Sequence, residues 1–150
     1  MAVNQDSFQA IEWVDSGLRL LDQRRLPHEE VYLFYHDAVA VVDAIRDMVV
    51  RGAPAIGVTA AYAVVLSAQQ HSRQSPDNWR PRLDADMALL AAARPTAVNL
   101  VWALQRMQAR LVQVDADPVA GLLDEARAIH AEDIAANRRM GEYGAGLIEE

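Results

Sequence analysis

The sequence predicts an α+β fold, in which a small N-terminal antiparallel β-meander is followed by a bundle of about five α-helices. Three observations predict it. Before Asp37 the apolar residues fall in short runs separated by turn chemistry. After Asp37 they recur at helical spacing. Apolar residues make up 52% of 150 residues, enough to build a core and to exclude global disorder.

The meander is read from "FQAIEWV", the turn signal "DSG" and "LRLLDQ". "RRLPHEE" reads as a loop and "VYLFYH" as a third short strand. Asp37 is expected to cap a helix running through "AVAVVDAIRDMVV". A second helix is expected from about Pro54 to Gln70, followed by the loop "HSRQSPDNW". Its stretch "AIGVTAAYAVVLSA" is apolar nearly all round, which requires burial on most sides and makes it the central helix. The third helix is expected from Pro81 to Ala93, and the fourth is "TAVNLVWALQRMQARLVQV" with Thr96 as its cap. "DADP" breaks the chain. The fifth helix begins near Pro118, continues through "AGLLDEARAIHAEDIAANRRM", and stays partly helical to the end of the sequence.

Composition removes several function classes. The net charge of −7 argues against a nucleic-acid surface. With no cysteine, disulfides, thiolate chemistry and cysteine-based metal sites are excluded within this sequence. All 14 basic residues are arginines, which excludes lysine bases and makes arginine the cation for any bound anion. "MAVNQDSFQAIEW" has neither a basic nor an apolar targeting region. The apolar run from Ala53 to Ala68 is shorter than the roughly 20 residues a bilayer span requires. A soluble, cytoplasmic protein is the expectation.

The seam "RGAPAIG", Arg51 to Gly57, holds more than a helix-to-helix turn needs. Pro54 suits the first turn of a helix, and Gly52 permits a strained backbone or a close ligand. A helix N-terminus is already partly positive, so Arg51 beside it is locally unfavourable unless an anion satisfies both. The other reading is a salt bridge from Arg51 to an acidic neighbour. "RPTAVNLVWAL" repeats the logic, with Arg94, then Pro95, then a helix start. Two such starts could converge on one phosphate, with Arg51 and Arg94 facing each other across a cleft.

"VRGAPAIGVTAAYAVV" and "RPTAVNLVWAL" strongly resemble the methylthioribose-1-phosphate isomerases of methionine salvage, and "LRLLDQRRLP" and "VVDAIRDMVVRGAPAIG" fit as well. The resemblance covers essentially the whole sequence. Ala63, where many members have glycine, is a small departure. The superfamily also includes ribose-1,5-bisphosphate isomerases and the regulatory subunits of the translation-initiation guanine-nucleotide exchange factor. A regulatory-subunit role, binding nucleotides or partner subunits, is therefore the alternative. The resemblance implies that 1–36 and 37–150 form one N-terminal domain of a two-domain enzyme whose Rossmann-like C-terminal domain is absent from this sequence. It implies a phosphorylated-sugar substrate, contact with that missing domain, a homodimer, and neither metal nor other cofactor. Carried over by position, Arg51, Gly52, Ala53 and Arg94 would bind substrate, chiefly its phosphate. No catalytic residue is expected here, because the family's cysteine and aspartate belong to the C-terminal domain. The chain alone is accordingly expected to be inactive, and to expose an apolar patch along the 96–113 helix and the last helix.

Other constellations read as structural. His28, His36, His71 and His130 have no metal-ligand spacing; His130 and Asp133 are three apart, but two ligands make no site. Asp43, Asp47 and "DEARAIHAED" read as solvated helix faces. Trp13, Trp79 and Trp102 read as core or interdomain contacts rather than a stacking platform for bases.

Overall fold

The computed structural model describes residues 9–114 and 117–148. Phe8 of the first expected strand, Asp115 and Ala116 of the "DADP" break, and the last two residues lie outside them. Strands β1 (Ile11–Val14), β2 (Gly17–Leu21) and β3 (Tyr32–Tyr35) form an antiparallel sheet in that order. The β1–β2 hairpin has a two-residue loop, because Val14 pairs with Gly17. Asp15 and Ser16 both have positive φ, 50° and 61°, as the strand twist demands of such loops. Leu18, Leu20 and Leu21 of the central strand β2 are buried, the first two within the main core.

Five helices follow: α1 (Ala38–Arg46), α2 (Ala53–Gln74), α3 (Trp79–Ala93), α4 (Val98–Leu111) and α5 (Pro118–Ile148). Asp37 caps α1 as expected, its carboxylate accepting from the Ala40 N–H at 2.8 Å. That helix stops at Arg46, short of the expected Val50. Met48 takes φ 62° and the Val49 N–H turns back to the Ala44 carbonyl, which lets Val49 and Val50 enter the core in a non-helical path. Burial of two β-branched side chains outweighs one more helical turn.

The expectation for α2 holds: it is buried without a break from Ile56 to Ala68 and packs against α1, α3, α4 and α5. It extends to Gln74, one turn beyond expectation. Between α2 and α3, the Asp86 carboxylate accepts from Ser67 Oγ at 2.7 Å and pairs with His71 Nε2 at 2.9 Å. Thr96 is not the cap of α4. Ala97 occupies that position with no side-chain cap, because its N–H closes a turn on the Arg94 carbonyl and the helix begins one residue later. Among the described residues no helix is long and apolar enough to cross a membrane.

Candidate functional site at the starts of α2 and α4

The segment carrying Arg51 is held from both sides. Val49 and Val50 are buried, and the Gln23 N–H donates to the Val49 carbonyl at 3.0 Å. Gln23 follows Asp22, a nearly buried carboxylate gripped by Arg24 through Nε and Nη2, each at 2.8 Å. The Arg24 hydrogen bond holds the Asp22 carboxyl below the usual range. The "LDQRR" stretch therefore braces the approach to α2. No signal in the sequence marked that role, since the partner lies some 26 residues away along the chain (Gln23 to Val49).

Past the two valines the chain turns outward. Arg51, Gly52, Ala53 and Pro54 are all exposed. Gly52 takes φ 92° and ψ 135°, a conformation effectively reserved for glycine, and a Cβ there would meet nothing within 4 Å. Strain in the backbone, not lack of space, requires the glycine. No side chain caps α2, so the Ala53 and Ala55 N–H groups have no side-chain acceptor, while Pro54 has no N–H to satisfy.

α4 starts beside α2. A Cβ on Gly57, one turn into α2, would lie 2.7 Å from the Asn99 carbonyl oxygen and 3.5 Å from the Ala103 side chain. Glycine is what lets the two backbones meet. Both helices thus begin at the same end of the bundle, and both lack a side-chain cap. Arg94 ends α3 and is half-buried in the turn before α4. Among the described residues the arginines in ion pairs are Arg19, Arg24, Arg25, Arg46, Arg80 and Arg106; neither Arg51 nor Arg94 has an acidic partner. The salt-bridge reading of Arg51 finds no support there.

Two cavities flank this end. The first, about 220 Å³, lies where α2, α4 and α5 meet and is walled by Pro54, Gly57, Asn99, Trp102, Glu132 and Asp133. Neither Arg51 nor Arg94 lines it, and its charged walls are carboxylates, which repel an anion. The second, about 360 Å³, shares Asp133 with the first and is walled also by Ile11, Ala55, His130, Ile134 and Arg138. His130 Nδ1 is 3.0 Å from the Tyr62 hydroxyl, and Trp13 stacks on Tyr62 with ring centroids 5.5 Å apart. Burial pushes the His130 pKa down and that of Tyr62 up. His28 and His36 are exposed, and Asp43 and Asp47 lie on the solvated face as expected. Glu132 is exposed as well, while Glu125 is half-buried; both pair with Arg106 of α4 and clamp α5 to it.

Residues 49–150 match the model of the Initiation factor 2 subunit family. The chain is 54% identical over 151 aligned residues to the methylthioribose-1-phosphate isomerase of Nitrosococcus oceani, covering 99% of this chain and 43% of that protein. It is 57% identical to the enzyme of the same name from Thioalkalivibrio sulfidiphilus, covering 96% of this chain and 41% of that one. Among solved structures, 5-methylthioribose 1-phosphate isomerase from Pyrococcus horikoshii superposes with a TM-score of 0.85 at 33% identity, over 92% of this chain and 40% of that one. The delta subunit of translation initiation factor eIF-2B from A. fulgidus gives 0.86 at 35% identity, over 94% and 42%. The chain thus spans about two fifths of the length of the relatives it matches.

Proposed function

This chain belongs to the Initiation factor 2 subunit family, and from that membership we propose that it is the phosphate-binding N-terminal part of a methylthioribose-1-phosphate isomerase. Such an enzyme interconverts 5-methylthioribose 1-phosphate and 5-methylthioribulose 1-phosphate in methionine salvage, in the cytoplasm. The names of relatives more than 50% identical over nearly all of this chain support the reaction. Within the chain, one observation carries the role: Arg51, without an acidic partner among the described residues, stands next to an uncapped helix start opened by Gly52.

Oxygens of the C1 phosphate accept from the Ala53 and Ala55 N–H groups and from the Arg51 guanidinium, with Arg94 as the second cation. The negative charge sits on the positive end of the α2 dipole. The phosphate binds on the open side of this turn, away from the carboxylate-walled cavity. Holding it leaves the ester intact while the sugar ring opens. The thiol and carboxylate chemistry comes from a C-terminal domain packed against this one, in a homodimer. No metal or nucleotide takes part.

The test is titration of the chain with inorganic phosphate and with 5-methylthioribose 1-phosphate, followed at the Gly52 and Ala53 amides by NMR. Arg94→Ala should weaken binding roughly ten- to a hundredfold, from the loss of a charge-assisted hydrogen bond of about 1.5–3 kcal/mol. Arg51→Lys should also weaken it, because a point charge cannot reproduce the guanidinium fork. Unchanged affinity in both variants would overturn the phosphate role. Residues 1–150 alone should give no isomerisation in a product assay; turnover at the rate of a full-length relative would overturn the division of labour. The likeness to the eIF-2B delta subunit favours a second reading, a regulatory subunit. Binding of a guanine nucleotide without binding of the sugar phosphate would select it.

A further inference from the structure

The 360 Å³ cavity beside Ala55 falls in the size range of small-molecule pockets, about 300–1,000 Å³. Its walls are of two kinds. Ile11, Ala55 and Ile134 are apolar, while His130, Asp133 and Arg138 bring donors and an acceptor. One wall residue also belongs to the helix start proposed to hold the phosphate. Ala55 is two residues along α2 from Ala53, about 3 Å of helix rise.

The chemistry of His130 follows from its neighbour. Tyr62 is 3% exposed and burial keeps its phenol protonated, so its O–H needs an acceptor. The partner in reach is His130 Nδ1, at 3.0 Å. Burial also keeps the imidazole neutral, because it pushes the His130 pKa down. A neutral imidazole that accepts at Nδ1 carries its proton on Nε2. Nε2 has no hydrogen-bond partner among the described residues, and His130 lines the cavity, so this N–H is a donor for a ligand held there. Trp13, stacked on Tyr62 at an interplanar angle of 18°, fixes the ring that sets this tautomer.

We propose that this cavity receives the pentose of a sugar phosphate anchored at the start of α2, with His130 Nε2–H donating to a sugar oxygen and Tyr62 acting as the residue that positions His130. Asp133 accepts from a second hydroxyl, and Ile11 and Ile134 cover the apolar face of the sugar. The inference rests on the phosphate site proposed above.

The experiment uses the chain labelled with ¹⁵N in its imidazoles and amides, titrated separately with inorganic phosphate and with 5-methylthioribose 1-phosphate. Inorganic phosphate should shift the Gly52 and Ala53 amides and leave His130 unmoved. The sugar phosphate should shift both. His130→Ala should weaken the sugar phosphate about tenfold and leave inorganic phosphate unchanged. Tyr62→Phe keeps the ring stack and removes the hydroxyl; the Nδ1–H tautomer should then appear in the imidazole ¹⁵N spectrum, and sugar-phosphate affinity should fall severalfold. If the sugar phosphate moves Gly52 and Ala53 but not His130, the cavity assignment is overturned and the phosphate site stands. If His130 moves but Gly52 and Ala53 do not, the cavity stands and the phosphate site falls. No response at either place overturns both. A Tyr62→Phe spectrum still holding only the Nε2–H form would remove Tyr62 from the mechanism.

Discussion

At the scale of single residues, Gly52 carries the greatest backbone constraint. Its φ of 92° with ψ of 135° lies outside the small left-handed region that asparagine tolerates. Gly52→Ala and Gly52→Asn should therefore both destabilise, by about 1–3 kcal/mol, although nothing obstructs a side chain there. Urea unfolding checks this, and rescue by asparagine would contradict the backbone account. His130 makes stability depend on pH. Burial holds its folded pKa below the ordinary 6.5, so the unfolded chain takes up the proton first as pH falls. The stability from the neutral form is fully present above about 6.5 and is lost as pH falls toward and through the folded value. Asp133 works against the shift with its negative charge. In His130→Gln the fall in Tm between roughly pH 7 and pH 5 should flatten. An unchanged slope would mean that another group governs that window.

At the scale of elements, the contact between α2 and α4 is the feature on which the site depends. Alanine is normally worth up to about 1 kcal/mol over glycine inside a helix. Gly57→Ala should nevertheless destabilise by about 1–3 kcal/mol, because its Cβ would press to 2.7 Å on the Asn99 carbonyl and drive the helix starts apart. The start of α4 gives a second test. Thr96 is exposed and caps nothing, so Thr96→Ala should change stability by less than about 0.5 kcal/mol. Ala97→Asp supplies the missing cap and should stabilise by about 1 kcal/mol. If the α4 start shares the phosphate, the same change should lower phosphate affinity, which the amide titration measures directly.

At the scale of the whole molecule, the core ends well before the chain does. Ile129 is the last buried residue of α5, whereas Met140, Tyr143, Leu147 and Ile148 are 62–84% exposed. On α4, Val98 is 78% exposed and Trp102 44%. These are the two helices along which an apolar patch was expected. With three glycines in 141–146 and no core contact, the last turns of α5 should exchange amide hydrogens within the earliest time points. The Ile56–Ala68 stretch should be the most protected part of the chain. Deleting 138–150 should change the unfolding free energy by less than about 1 kcal/mol, since it removes no buried side chain among the described residues. Protection of 140–148 equal to that of α2 would show that something covers this helix in solution.

Element order, the buried central helix, the Asp37 cap and the two arginine-led helix starts are legible in the amino-acid sequence alone. Each is a local property, written in periodicity, capping chemistry or proline position within a few residues. Tertiary structure decided where α1 stops, because only the packed core shows that Val49 and Val50 belong inside it. It decided that Ala97 rather than Thr96 begins α4, because the turn closing on Arg94 depends on how α3 ends. It also decided which polar residues meet. Gln23 braces Val49, Tyr62 bonds His130, and Asp86 joins Ser67 and His71. These partners are 15–68 residues apart. Polar groups that far apart in sequence are brought to about 3 Å only when whole elements pack, and the energy that packs them is apolar burial, which is blind to the polar groups it carries along.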